Sequence, residues 1–125
     1  MWYPHLNSNN LELKEAIEKE FENVECIITG ENLGYSKANN LGLKRVKTKY
    51  SLILNPDIEL EKSTLEFFLS TAAKLKDFAI IGPITNQATN FLSNSNLDKE
   101  TPFEVENIKG FAMFLNMEKF SNNDF

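Results

Sequence analysis

The stretch Leu52-Ile53-Leu54-Asn55-Pro56-Asp57 carries an apolar run directly into an amide, a proline and a carboxylate. Such a run is typical of a strand buried on both faces in a parallel sheet. Proline has a fixed φ and no N–H, so it ends the strand and holds Asn55 and Asp57 at the carboxyl edge of the sheet. Ligand sites of α/β enzymes lie at such edges. A plain turn is the alternative, because Asn, Pro and Asp are common turn formers.

The rest of the chain alternates between helical and strand patterns. In chain order we predict a helix capped by Asn9 or Asn10, a strand at 24–29, a helix from Tyr35 or Ser36 to Lys47, a strand at 50–55, a helix that starts with the capping-box sequence 63–66, and strands at 78–82 and 111–116. In the first helix, apolar residues recur at helical spacing at Leu13, Ala16, Ile17 and Phe21. In the third, the predicted buried stripe is Leu65, Phe68, Leu69, Ala72 and Leu75. This alternation predicts an α/β fold with a mostly parallel sheet flanked by helices.

Length and charge narrow the class of protein. The chain has 125 residues, which suits one domain, and we expect an irregular end at 1–10 and a long loop at 85–107. A net charge of −5 argues against nonspecific nucleic-acid binding, which needs basic residues to neutralise phosphates. The single Cys26 cannot form an internal disulfide and is predicted to be a core residue. With no signal-peptide pattern and no long apolar run, the predicted location is cytoplasmic.

The segment 31–42 lies between a predicted strand end and a helix start, where backbone N–H groups favour an anionic or polar ligand. Gly34 permits a tight turn there. Asn39 and Asn40 each cost several tenths of a kcal/mol relative to alanine inside a helix. Residues that disfavour the local helix in this way are expected at functional sites. An ordinary loop with solvent-facing amides is the alternative.

Five segments in order resemble the family 2 inverting glycosyltransferases of the GT-A fold, particularly the branch that contains bacterial rhamnosyltransferases. They are residues 32–35, 38–42, 52–57, 82–83 and 108–113. Their order and spacing match that branch over nearly the whole chain, so the resemblance implies a GT-A, Rossmann-like layer. A dinucleotide-binding domain is disfavoured, because no Gly-x-Gly-x-x-Gly follows any predicted strand.

The resemblance also implies a donor site. Asp57 corresponds to the residue that binds a divalent metal, Mg²⁺ or Mn²⁺, on the diphosphate of a nucleotide sugar. Asn55 corresponds to a residue that contacts the ribose or a water molecule. The other implied positions are Asn32, Gly34 and Asn40 in the nucleotide site and Gly110 near the donor sugar or acceptor groove. The implied partners are a nucleotide-diphosphate sugar and a saccharide or lipid-linked acceptor, in surface polysaccharide synthesis in the cytoplasm, peripheral to the inner face of the membrane.

The chain departs from the family pattern at both ends. It lacks the expected first strand, Pro4 argues against a central strand near the start, and the segment expected to supply the catalytic base stops at Asp124-Phe125, which leaves Asp124 as the candidate base. We therefore expect a single incomplete domain that is inactive as an isolated chain. The alternatives are a non-catalytic nucleotide or nucleotide-sugar binding module, and an assembly partner that self-associates through unpaired strand edges.

Overall fold

A computed structural model describes residues 1, 3–6, 9–83 and 101–120. The elements are β1 His5–Leu6, α1 Leu11–Glu20, β2 Ile27–Ile28, α2 Gly34–Leu43, β3 Tyr50–Leu54, α3 Thr64–Leu75, β4 Ile80–Ile81, β5 Ala112–Asn116 and a 3₁₀ turn Met117–Lys119. The predicted mixture of helices and strands is confirmed. The chain divides into two compact units, Met1–Thr48 with Phe120–Phe125 and Lys49–Lys119, which are described in turn.

In the first unit, α1 begins where the sequence predicts. The side-chain oxygen of Asn10 accepts a hydrogen bond from the backbone N–H of Leu13 at 2.9 Å, which confirms the cap. The helical spacing of its apolar residues is confirmed, but the helix has no buried residue, and the side chains of Leu13 and Phe21 are 43% and 49% exposed.

The start of the chain contains a strand that the sequence analysis did not expect. β1 pairs in parallel with β2, with His5 opposite Ile27 and Leu6 opposite Ile28. Pro4 does not prevent this pairing, because it precedes the strand and contributes only its carbonyl, which accepts from the Ile27 N–H at 3.0 Å. The expectation of an irregular end at 1–10 is therefore wrong at His5 and Leu6. β2 is also shorter than the predicted 24–29, because β1 offers it only two partner residues.

Helix α2 starts at Gly34 and ends at Leu43, four residues before the predicted end at Lys47. Its buried positions are Ala38 and Gly42, one helical turn apart. After the helix, the Arg45 guanidinium donates to the Leu41 carbonyl at 2.9 Å and lies 3.5 Å from the Glu25 carboxylate. The basic residues Lys44, Arg45, Lys47 and Lys49 therefore all follow the last residue of the helix.

The second unit contains a three-stranded sheet in the order β3-β5-β4. β5 is antiparallel to both neighbours, so the prediction of a mostly parallel sheet is wrong for this sheet. β3 and β4 run in the same direction but are separated by β5. All five residues of β5 are buried. A continuous apolar run indicates burial on both faces of a strand, but it carries no information about direction.

The core of this unit is a group of aromatic rings between α3 and the sheet. The Phe68 and Phe114 rings stack with centroids 5.2 Å apart and planes at 4°, and the Tyr50 and Phe78 centroids lie 5.2 and 6.4 Å from that of Phe114. Ala72 completes the buried cluster. Phe68 and Ala72 thus confirm part of the predicted stripe.

The rest of the predicted α3 pattern is wrong. Leu65, Leu69 and Leu75 are 49%, 52% and 36% exposed, because the narrow sheet meets the helix along a single line at Phe68 and Ala72. Ser63 occupies the N-cap position, but its side chain makes no capping hydrogen bond.

The predicted long loop at 85–107 lies mostly outside the described residues. Residues 101–107, which are described, contain neither helix nor strand. Within the part of the chain that the structure covers, no helix is both long enough and apolar enough to cross a membrane.

Candidate functional site

The carboxyl end of β3 turns sharply at Asn55-Pro56-Asp57. The Asn55 N–H donates to the Phe111 carbonyl at 2.9 Å, and the Asn55 carbonyl accepts from the Ile58 N–H at 3.3 Å. Pro56 and Asp57 occupy the two central positions of this turn, where the fixed φ of proline is favourable. The segment is thus both a turn and a strand end, so the two interpretations of the sequence are compatible.

The side chains of this turn are available to a ligand. Asp57 is exposed, and neither its carboxylate nor the Asn55 side-chain amide has a hydrogen-bond or ion-pair partner among the described residues. Backbone hydrogen bonds hold the turn in place, so both side chains remain unused by the fold. The carboxylate oxygens of Asp57 and the amide oxygen of Asn55 are ligand types that suit a hard cation such as Mg²⁺ or Mn²⁺.

A complete protein cage for a metal is absent from the described residues, where no three His, Cys, Asp or Glu side chains are grouped to hold an ion. Mg²⁺ is commonly bound through one or two carboxylates together with substrate phosphates, an arrangement that needs no such cage.

The structure brings Gly110 close to this turn. Gly110 directly precedes Phe111, whose carbonyl binds the Asn55 N–H, and the pairing of Leu54 with Ala112 continues the contact into the sheet. Gly110 is half-buried in the turn that leads into β5. Two positions far apart in sequence are thus joined by the antiparallel ladder.

In the first unit, the loop from β2 to α2 is organised by local hydrogen bonds. The Thr29 hydroxyl donates to the Glu31 carbonyl at 2.6 Å, and the side-chain oxygen of Asn32 accepts from the Gly34 N–H at 2.9 Å. Gly30 and Gly34 have φ of +75° and +72°, in the left-handed region that favours glycine. Asn32 and Gly34 are therefore directly hydrogen-bonded to each other at the start of α2.

The first turn of α2 has no acidic residue, so the partial positive charge of its N-terminus is not offset within that turn. Asn40 is half-buried further along the helix, roughly 9 Å along the axis from Gly34 and about 240° around it. The structure thus brings Asn32 and Gly34 together but places Asn40 on another side of the helix.

Tyr35 and Asn39 form a pair that the sequence analysis did not identify. They lie one helical turn apart and their side chains are hydrogen-bonded. Burial raises the pKa of the Tyr35 phenol, and the bond to Asn39 only partly opposes this shift. The phenol therefore stays protonated at neutral pH. The i, i+4 spacing was the available signal, and it explains an asparagine inside the helix.

Asn116 is a second residue that the sequence analysis missed. Its side chain, 3% exposed, donates to the Phe78 carbonyl at 3.2 Å and accepts from the Glu118 N–H at 3.3 Å. An amide at the end of a wholly apolar strand was the available signal. Its role is to satisfy buried backbone groups. Asp124, the candidate base, lies outside the described residues.

Comparisons with known proteins agree with the resemblance. Residues 7–121 match the sequence profile of the family described as Glycosyl transferase family 2. The chain is also similar to the teichoic acid poly(glycerol phosphate) polymerase of Staphylococcus epidermidis, with 30% identity over 102 residues. This alignment covers 79% of the chain and 14% of the polymerase, so the chain spans only a small part of that relative. No solved structure matched the chain.

The profile covers most of the sequence, including the loop at 29–34, the turn at 55–57 and strand β5. The mixed α/β architecture fits the GT-A fold that was predicted for this family. The chain belongs to Glycosyl transferase family 2.

Proposed function

We propose that the chain is a glycosyltransferase domain that transfers a sugar from a nucleotide-diphosphate sugar to a saccharide or lipid-linked acceptor, in the synthesis of a cell-surface polymer. Family membership supports the reaction class. The similarity to a polymerase named for teichoic acid poly(glycerol phosphate) supports the product class. The proposed setting is cytoplasmic, peripheral to the inner face of the membrane.

The Asn55-Pro56-Asp57 turn is the observation that carries this proposal. The ladder with β5 fixes its backbone, and its two polar side chains have no partner among the described residues. Preorganised polar groups at a strand end bind a ligand without first losing existing hydrogen bonds. In the proposal, Asp57 holds Mg²⁺ or Mn²⁺ together with the donor diphosphate, and Asn55 contacts the ribose or a bound water.

The remaining positions have supporting roles in the proposal. The metal supplies charge neutralisation of the departing nucleoside diphosphate. Asn32 and Gly34 are proposed as nucleotide contacts, with Asn32 holding the loop that exposes the N-terminus of α2. Asn40, on another side of that helix, is proposed as a separate nucleotide contact. Gly110 leaves room beside the turn for the donor sugar or the acceptor. Asp124 is proposed as the base that deprotonates the acceptor hydroxyl.

Calorimetric titration tests the donor site directly. The intact chain is titrated with UDP, GDP, CDP and dTDP, each with Mg²⁺, with Mn²⁺ or with excess chelator. We expect one nucleotide to bind in a metal-dependent manner, and Asp57→Asn to weaken binding about tenfold or more, about 1.4 kcal/mol. Asp77→Asn is the matched control, because Asp77 is an exposed carboxylate that, within the part of the chain that the structure describes, forms an ion pair with Lys119 alone. No binding of any nucleotide, or equal binding by both variants, contradicts the proposal.

A transfer assay separates catalysis from binding. The same chain is incubated with the sugar conjugates of the nucleotide that binds and with short saccharide or lipid-linked acceptors. Turnover that is lost in Asp57→Asn and in Asp124→Asn supports the transferase assignment and the proposed base. Metal-dependent binding without turnover is the result expected of a transferase domain that is inactive as an isolated chain, as the sequence predicts, and also of the non-catalytic binding module.

A further inference from the structure

Basic and acidic residues are unevenly distributed along the chain. Residues 32–48 contain four basic residues and no acidic one, although the whole chain has 13 basic and 18 acidic residues. All four are exposed and belong to the first unit; they are Lys37, Lys44, Arg45 and Lys47. Helix α2 and the connection after it therefore form a positively charged segment in a chain whose net charge is −5.

Helix geometry places Lys37 and Lys44 on the same face of α2. They are seven residues apart, which is about two helical turns and roughly 10 Å along the axis. Lys44 is the C-cap residue and keeps helical dihedral angles, with φ −61° and ψ −18°. The face therefore continues from Lys37 to Lys44, and Lys47 follows three residues later.

The lysines of this segment differ from Arg45 in their partners. The Arg45 guanidinium already faces the Glu25 carboxylate and donates to the Leu41 carbonyl. Lys37 and Lys47 have no hydrogen-bond or ion-pair partner among the described residues. No carboxylate of the described residues therefore offsets the charge of these two lysines.

The helix dipole accounts for only part of this pattern. A cation is favourable at the C-terminus of a helix, where Lys44 lies. Lys37 is the fourth residue of α2, at the positive end of the dipole, and the first turn has no acidic residue to compensate. A basic residue that opposes its own helix in this way is expected where a ligand requires it.

We propose that Lys37, Lys44 and Lys47, named here the lysine group, bind a linear acceptor polymer that carries repeated negative charges on phosphate or carboxylate groups. The inference rests on the proposed function, because the acceptor is the polymer that a transferase domain handles, and it adds the chemical class of that acceptor. Lysine ammonium groups bind anions as separate point charges. Lysines that are spread over more than two helical turns suit successive charges of a flexible chain.

A membrane surface or a single-stranded nucleic acid suits this segment less well. A helix that lies on lipid buries an apolar face along its length, and bases of a bound single strand stack on several aromatic rings. Between residues 34 and 48, Tyr35 is the one large apolar side chain that is exposed. The segment thus offers charge without the apolar or aromatic surface that those two ligands use.

Calorimetric titration of the intact chain tests the lysine group. The ligands are short-chain inorganic polyphosphate, polygalacturonate and neutral dextran, in metal-free buffer. We expect at least one of the two polyanions to bind, with an affinity that falls as the salt concentration rises, and dextran not to bind. The double variant Lys37→Gln/Lys47→Gln is expected to weaken polyanion binding about tenfold, because it removes two of the charges in contact.

Lys19→Gln/Lys62→Gln is the matched control, because it removes two other exposed lysines and changes the net charge equally. This variant should bind the polyanion like the wild type. Binding of neither polyanion, or equal weakening by the two double variants, overturns the proposal.

Two further ligands test the nature of the occupant. A thymidine oligonucleotide and vesicles of phosphatidylglycerol with phosphatidylcholine are titrated in the same buffer. Weaker binding of both than of the polyanion supports an acceptor polymer, and tighter binding of either one overturns it. The nucleotide titrations separate this inference from the donor site: nucleotide binding without polyanion binding contradicts the lysine group alone, and the reverse result contradicts the proposed donor site alone.

Discussion

The Glu18 carboxylate accepts a hydrogen bond from the backbone N–H of Cys26 at 2.7 Å, which ties α1 to the segment that leads into β2. Lys14 completes the link, because its ammonium donates to Glu18 at 2.6 Å and to the Cys26 carbonyl at 2.7 Å. Both backbone groups of a residue that is only 3% exposed are thereby satisfied by side chains. Glu18 and Lys14 thus supply Cys26 with the backbone hydrogen bonds that a neighbouring strand supplies within a sheet.

This link makes the stability of the protein depend on pH. The hydrogen bond from Lys14, and then that from Cys26, lowers the pKa of Glu18 below its usual 4.5. A lowered pKa in the folded state contributes stability above the unfolded pKa, and this contribution is lost as the pH falls through the folded pKa. We expect the melting temperature of the wild type to fall more steeply below about pH 4.5 than that of Glu18→Gln.

Thermal melts between neutral and acid pH measure this difference. Glu15→Gln is the control, because it removes an exposed carboxylate from the same helix without touching Cys26. Parallel pH profiles for the wild type and Glu18→Gln contradict the stabilising role of the link.

Gly34 is expected to be required for its backbone conformation. It has φ +72°, and a Cβ placed on it meets nothing within 4 Å, so space does not restrict this position. Gly34→Ala is expected to cost about 1–2 kcal/mol in the free energy of unfolding, because left-handed geometry disfavours an L side chain. Gly34→Asn should cost less, because asparagine tolerates this region better. Urea unfolding measures both, and equal costs would argue against a backbone cause.

Gly82 is expected to be required for the space beside Ile108. A Cβ at Gly82 lies 2.5 Å from Cγ2 of Ile108, closer than real contacts allow. We expect Gly82→Ala to destabilise the protein by about 1–3 kcal/mol through overpacking. In an Ile108→Ala background, the same change should cost less because the clashing methyl is gone. A double-mutant cycle measures this coupling, and additive costs would refute the steric explanation.

The Phe68–Phe114 stack is expected to dominate the core of the second unit. Phe68 is 5% exposed, whereas the adjacent Phe67 is 66% exposed. Phe68→Ala should therefore cost about 3–5 kcal/mol in the free energy of unfolding. Phe67→Ala, the same substitution one residue away, should stay within about 0.5 kcal/mol of the wild type. Similar losses from both would show that the ring contacts are not the source of stability.

Features with a local cause were predictable from the sequence. Asn10 caps α1 because its own side chain reaches the Leu13 N–H, and Pro56 ends β3 because it has no N–H to donate. The family resemblance is likewise confirmed, because it depends on motifs and their order. The rhamnosyltransferase-like branch, the site residues and the metal stay predictions.

Features that depend on distant partners were not predictable in the same way. Pro4 argued against an early strand. That strand nevertheless forms, because its partner is β2 and the pairing uses the carbonyl of Pro4, not an N–H. Leu65 and Leu69 have the spacing of buried residues, yet burial depends on how much sheet faces the helix. The periodicity of apolar residues shows which of them share one face of a helix. It does not show how wide the sheet is that packs against that face.

The sequence alone determined where most helices and strands lie and which family the chain belongs to, since caps, prolines and apolar periods act over a few residues. Only the tertiary structure decided that β5 enters antiparallel between β3 and β4, which joins Asn55 to Phe111 and brings Gly110 beside the turn. The physical reason is that strand direction and partner are set by long-range hydrogen bonds and core packing. An apolar run satisfies these in either orientation.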